Sequence, residues 1–228
     1  MQPTFLPWLG YFSLIDSVDK FVFLDVVQFE SRSWQQRNRI MINYEARWVT
    51  VPTTLPYGKS TPINQVLINR EHYSGLKVLK TLKHAYGNKP GFEFIEKNLF
   101  QELLSPPDYL SLLNVELITE ISQSLGSDTI FISASELKVS GNKADLLLDI
   151  CKTLGATTYV SPPGSRVYLD EYPGFSDSGI KLEYQNFDHP IYPQGQNAFV
   201  SHLSVIDAIC NANLDGTRDL IKKGSRTE

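Results

Sequence analysis

Apolar side chains recur every three positions near the start of the chain, where Leu9, Phe12 and Ile15 would share one side of a short helix spanning residues 8–17. The period then changes. FVFLDVV, residues 21–27, is a nearly continuous apolar run that reads as a buried strand ending at Asp25. Alternation marks Arg39–Asn43 and Arg47–Val51 on either side of a short polar link, which predicts a β-hairpin. INQVLI, residues 63–68, predicts one more strand. From about residue 72 to 126 the pattern turns helical. Leu76, Leu79, Leu82 and Ala85 mark the first helix, FEFIEKNLFQELL and DYLSLLNVELITEISQSLG supply the next two, and Pro90 and Pro106-Pro107 break the run. TIFIS and TTYVS then read as strands around a helix that Asn142 is placed to cap and Gly155 to end. Ile180–Phe187 alternates as a last strand, and HLSVIDAICN forms a terminal helix.

Apolar strands alternating with helices predict a mostly parallel sheet covered on both faces. The expected fold is therefore α/β and Rossmann-like, a single domain over residues 1–228 with a β-hairpin insertion and a helical insertion at about 72–126. Such sheets begin on a central strand, whereas here the alternation begins on a helix. A strand feeding QPTFLPWLGY is expected, and the chain is read as lacking that first N-terminal strand.

Composition narrows the class. With 228 residues, 42% hydrophobic and 20% charged, the chain can bury a real core and does not resemble a disordered segment. Asp16, Asp19 and Lys20 interrupt the most apolar run, and no basic stretch precedes it, so neither a membrane span nor a signal peptide is expected. Cys151 and Cys210 lack metal-ligand spacing, which points to reduced thiols, a cytoplasmic location and no metal site. A net charge of −4 argues against nucleic acid as a partner and leaves one local basic cluster, Arg32, Arg37 and Arg39.

Ligands of open α/β sheets sit beyond the carboxyl ends of the strands, and three segments are expected there. In QPTFLPWLGYF two prolines stiffen the turn, and the amide of Gln2 has little packing value but could orient a ligand. In LDVVQFESRSWQQRNRI, Asp25 and Gln28 follow the buried strand, and Arg37, Asn38 and Arg39 offer donors suited to phosphate or carboxylate. The same Arg-Asn-Arg run also fits a solvated hairpin start, and Arg37 could simply pair with Asp25. Ser161, Gly164 and Ser165 follow a third strand, and His189 lies in a proline-flanked loop with Tyr192 and Gln194, where a general base could stand.

Taken together, QPTFLPWLGYFSLI, DKFVFLDVVQFESRSWQQRNRI, YVSPPGSRVYLDEYPGF and YPQGQNAFVSHLSVIDAI resemble the WbqC-like protein family nearly end to end. The resemblance carries over Gln2, Pro3, Pro7, Trp8, Gly10, Tyr11, Asp25, Gln28, Trp34, Arg37, Asn38 and Arg39 as motif positions, with Tyr192, Gln194, Ser204 and Asp207 near the C-terminus. It implies a bacterial protein associated with O-antigen and other surface polysaccharides. The opening is also similar in outline to the HIGH-type nucleotidyltransferases, with Trp8 and Tyr11 in the region where those carry histidines.

The expectation is a group-transfer enzyme of acyl, aminoacyl or nucleotidyl type. Its small-molecule substrate would be a nucleotide sugar or an activated acyl donor; the sequence does not name a cofactor. Arg37 and Arg39 would hold the anion, Asn38 and Gln28 would orient the substrate, and Asp25 or His189 would move the proton. Gln2, Trp8, Tyr11, Trp34, Ser161, Tyr192 and Gln194 would complete the binding surface. If the Trp34 ring is buried, its removal should cost about 3–5 kcal/mol. The alternative is a non-catalytic binding or scaffold protein of the same pathway, which the absence of a recognisable nucleophile favours.

Overall fold

The computed structural model describes residues 1–195 and 198–225 and has a mixed α/β fold. Helix α1 (Leu9–Asp16) leads into strand β1 (Lys20–Phe23). The hairpin follows as β2 (Arg37–Ile42) and β3 (Glu45–Thr50), and then the short β4 (Thr53–Thr54) and β5 (Leu67–Ile68). A helical stretch comprises α2 (Gly75–Tyr86), α3 (residues 92–104, with a π-helical stretch at Ile95–Leu99) and α4 (Leu110–Ser124). The chain then runs through β6 (Ile130–Ser133), α5 (Ala144–Thr153), β7 (Thr158–Ser161), β8 (Lys181–Tyr184) and α6 (Val205–Gly224), which is kinked at Asn213.

Two strand pairs are parallel. β1 lies beside β6 with Phe21 opposite Phe131, and β7 lies beside β8. The Phe21, Phe23 and Phe131 rings pack within about 6 Å of one another and account for the apolar character of the first pair. Instead of the one continuous sheet expected from the sequence, the described strands pair only two by two. A groove of about 430 Å³, lined by Val22, Leu24, Leu147, Cys151, Tyr159 and Val160 among others, lies between β1 and β7. Met1 reaches into it. Its amine donates to the Val22 carbonyl (2.8 Å) and its own carbonyl accepts from Leu24 N–H (2.7 Å), which is one residue's worth of parallel pairing.

The hairpin turns through Asn43 and Tyr44, both with positive φ (+50° and +64°), as a two-residue primed turn requires. The strand expected at residues 63–68 is mostly absent. Ile63–Gln65 is a 3₁₀ turn and only Leu67–Ile68 pairs, because the Ile63 and Asn64 N–H groups donate to the Val27 and Asp25 carbonyls beyond β1. Nor does the Asn142 side chain cap α5. That helix starts after Lys143, and Asn142 contributes only its carbonyl, to Asp145 N–H. Gly155 ends α5 as expected, at φ +64°.

The main core gathers Leu113, Leu117, Ile118 and Ile121 of α4 against both ends of the chain. α6 packs on α1, and Gly91 lies so close to it that a Cβ there would sit 1.8 Å from the Ile209 carbonyl oxygen. Among the described residues no helix is long and apolar enough to cross a membrane.

Candidate functional site

The opening Gln-Pro turn is held from several sides. Phe5 N–H donates to the Trp34 carbonyl (3.0 Å), and Gln35 Nε2 donates to Gln2 Oε1 (2.9 Å). The buried Asn38 amide donates to the Phe5 and Leu6 carbonyls (3.2 and 2.8 Å) and its oxygen accepts from Arg39 N–H. Leu6 has φ +44°, an unfavourable conformation for a branched side chain, and the Asn38 contacts help to hold it there. Asn114 of α4 donates to the Pro3 and Gln35 carbonyls (3.2 and 2.8 Å). Asn38→Ala should therefore cost about 2–3 kcal/mol, since it leaves two carbonyls and one N–H without a partner. Denaturant unfolding checks this, and a loss under about 0.5 kcal/mol would show that the turn holds itself.

Beyond the carboxyl ends of β1 and β7 lies a cleft of about 340 Å³. Gln2, Thr4, Glu30, Ser33, Trp34 and Ser161 are among its walls, with Ser165 and Tyr168 on the side of β7. Gln2, Trp34 and Ser161, one from each of the three segments singled out in the sequence, therefore meet here. The Ser161 hydroxyl is buried and hydrogen-bonded to Ser165.

The arginines do not line this cleft; they stack outside it. Arg39 lies with its guanidinium carbon 5.8 Å from the Trp34 ring centre, and Arg37 lies 4.2 Å from that of Trp48. The two indoles are 5.2 Å apart and each is 45% exposed. Truncating Trp34 should therefore cost far less than the figure for a buried ring. Among the described residues neither arginine has an ion-pair partner, and the buried Nε of each has no hydrogen-bond acceptor. The expected Arg37–Asp25 pair does not form.

A third group adjoins Arg39. Trp8 stacks on His202 (4.6 Å between ring centres) and His189 (5.9 Å), and the two imidazoles are 5.2 Å apart. His189 Nδ1 donates to the Pro190 carbonyl (2.9 Å), so in the neutral ring Nε2 is a bare lone pair, and it is buried without a partner. Burial, with a smaller contribution from His202, holds the His189 pKa below its ordinary 6.5. Burial and the charge of Arg39 likewise depress His202.

Other residues picked from the sequence have their polar atoms engaged within the fold. Asp25 is buried at the end of β1, where its two carboxylate oxygens accept from the N–H and hydroxyl of Ser135. The amide of Gln28 donates to the Lys59 carbonyl (2.7 Å). Tyr11 is buried and donates to the Gln2 carbonyl (2.9 Å), bracing the turn from below. Tyr192 and Gln194 both donate to Asp207 Oδ2 (2.9 Å each), inside the protein.

Trp48, Glu30, His202, Gln35 and Asn114 were not singled out from the sequence. Trp48 was within reach, because the alternation of the hairpin puts it opposite Arg39. His202 carries a positive φ (+59°), which no sequence pattern announces. Asn114 looks like any polar residue on a long helix.

Known proteins bear on this arrangement in three ways. No solved structure matches the chain. The uncharacterized protein Rv1507c of Mycobacterium tuberculosis is 30% identical over 217 residues, covering 94% of this chain and 93% of its own length. The sequence model of the WbqC-like protein family matches residues 2–219, which include the opening turn, the Trp34 and Arg37–Arg39 segment and both histidines beside Trp8. The chain belongs to the WbqC-like protein family.

Proposed function

We propose that the chain is a cytoplasmic group-transfer enzyme of bacterial surface-polysaccharide or nucleotide-sugar biosynthesis, acting on a donor with an anionic leaving group. One observation carries this most directly. Among the described residues Arg37 and Arg39 have no acidic partner, keep an unpartnered buried Nε each, and stand on two half-exposed indoles beside the cleft at the strand ends. The proposal takes the β6-β1 and β7-β8 pairs as halves of one doubly wound, Rossmann-like arrangement, in which that edge is the usual place for a ligand.

The proton role falls to His189, since both oxygens of Asp25 are occupied by Ser135. An acceptor hydroxyl or amine gives its proton to the free Nε2 as its own lone pair attacks the donor. The bond from donor to leaving group breaks, and the electron pair departs on the anion held by the two guanidiniums. Because burial lowers the His189 pKa, the neutral form persists below pH 6.5. The acid limb of kcat/KM should therefore lie below 6.5 and disappear in His189→Gln. A limb above 6.5, or one unchanged in the variant, removes His189 from that role.

Binding is tested first by thermal shift with nucleotide sugars and activated acyl donors. A selective ligand at a hundred times its Kd stabilises by about 2.7 kcal/mol. Arg39→Ala should abolish the shift while moving the ligand-free melting temperature little, because among the described residues its side chain makes no ion pair and its Nε has no acceptor; a large ligand-free loss would make Arg39 structural. The second reading, a non-catalytic binding protein, is favoured by the engagement of Asp25, Tyr192 and Gln194 within the fold. It predicts the same shifts with no turnover of any bound donor.

A further inference from the structure

The anion-site proposal above can be taken further, to the class of donor. Arg37 and Arg39 are alternate residues of β2, so their backbones lie about 7 Å apart on the same face of the strand. Both approach one indole, at 4.2 and 6.0 Å from the Trp48 centre. A single carboxylate or monophosphate matches one guanidinium fork in a bidentate pair. Two forks without an ion-pair partner among the described residues are better matched by an anion that offers a separate set of oxygens to each, as a diphosphate does.

The cleft supplies the complementary half. Among the described residues its lining contains no Lys, Arg or His; beside Met1, Leu24, Leu147 and Pro162 it presents hydroxyls and amides from Gln2, Thr4, Ser33 and Tyr168, and the carboxylate of Glu30. Glu30 repels phosphate and accepts hydrogen bonds from hydroxyl groups. An uncharged, hydroxyl-rich group therefore belongs in the cleft and the phosphates belong outside it, with Trp34 on the border between the two.

We propose that the site takes a nucleoside diphosphate sugar. The diphosphate lies across Arg37 and Arg39, the base stacks on the exposed part of Trp48, and the sugar enters the cleft past Trp34. Stacking of bases on exposed indoles is favourable whatever the base, so the arrangement fixes the class of donor and leaves the base open.

Titration calorimetry and tryptophan fluorescence test this with inorganic phosphate, pyrophosphate, UDP-glucose, dTDP-glucose and GDP-mannose as probes. Pyrophosphate should bind at least about tenfold more tightly than phosphate, and Arg37→Ala and Arg39→Ala should each remove about tenfold or more of that affinity. At least one nucleotide sugar should bind more tightly again and quench tryptophan fluorescence, and Trp48→Leu should lose that further gain while keeping pyrophosphate binding. Unchanged ligand-free melting temperatures establish that the variants are folded. Equal binding of phosphate and pyrophosphate would overturn the diphosphate assignment and leave the anion site standing. Absence of binding by every probe would overturn both. Pyrophosphate binding with no gain from any nucleotide sugar, or a gain that survives in Trp48→Leu, would overturn the stacking assignment.

Discussion

Asp207→Ala is expected to destabilise the protein by about 3–5 kcal/mol, a loss of the size seen when a buried charged hydrogen-bond network loses its centre. Asp207 is fully buried at the start of α6. Its carboxylate accepts from Tyr86 Oη (2.7 Å), Tyr192 Oη (2.9 Å) and Gln194 Nε2 (2.9 Å), while Tyr86 Oη itself accepts from Met41 N–H on the hairpin. Alanine would strand three donors out of reach of water. Asp207→Asn keeps one acceptor and the shape, and should cost roughly half as much. The pH dependence has a definite sign. Burial raises the Asp207 pKa above 3.8 despite the three donors, so the folded state binds its proton more readily than the unfolded state does. Stability contributed here is present below pH 3.8 and is lost as pH rises through the folded-state pKa. Urea unfolding of the variants at pH 7 measures the effect, and a loss below about 1 kcal/mol for the alanine variant would mean that the network is dispensable.

A short apolar extension ahead of Met1, five residues rich in Val and Ile, is expected to raise stability by about 3–5 kcal/mol after its own ordering cost. For a chain of this length that corresponds to roughly 10 °C in melting temperature. The groove between β1 and β7 is bounded by apolar side chains, and Met1 already pairs with β1 in parallel register at one end of it. An extended segment continuous with Met1 would give the free edges of β1 and β7 a shared partner. The extension also replaces a buried amine. Met1 keeps some exposure as a residue, but its amine is enclosed, and burial lowers its pKa from 8.0 to about 5. The folded state thus prefers the neutral amine, and stability falls by about 1.4 kcal/mol for each pH unit between 8 and 5. With a peptide N–H in its place this slope should vanish. Thermal melts of both proteins at pH 8 and pH 5.5 decide the matter. Equal melting temperatures at both pH values would show that the groove does not accept a strand.

Much of the local structure was legible because local period decides it. The helices at 9–16, 75–86 and 110–124 and the hairpin fell close to where apolar spacing placed them. Residues 63–68 did not, since the destination of two N–H groups, Val27 and Asp25, is a tertiary fact. The site divided in the same way. Trp34, Gln2 and Ser161 could be placed at one edge from topology alone, and the structure brings them to one cleft. What composition leaves open is whether a polar side chain faces a ligand or another part of the chain. Tyr86 and Asp207 are 121 residues apart in sequence, and Asn114 reaches Pro3 across 111, so no window along the chain reveals that these groups are already satisfied.

The packing of α6 on α1 has a consequence for synthesis. Val205 N–H bonds the Pro7 carbonyl, Ser204 N–H bonds that of Arg39, and Ser13 Oγ meets Ser225 Oγ, so the first forty residues are pinned by the last twenty-five. β1, too, gains its partner β6 only after about a hundred further residues. Contacts of such long sequence separation slow folding. On the ribosome, the turn and the arginines emerge first and wait for nearly the whole chain before they acquire their final shape, so a transcript cut short before α6 would yield a chain in which the turn and the proposed anion site lack those contacts.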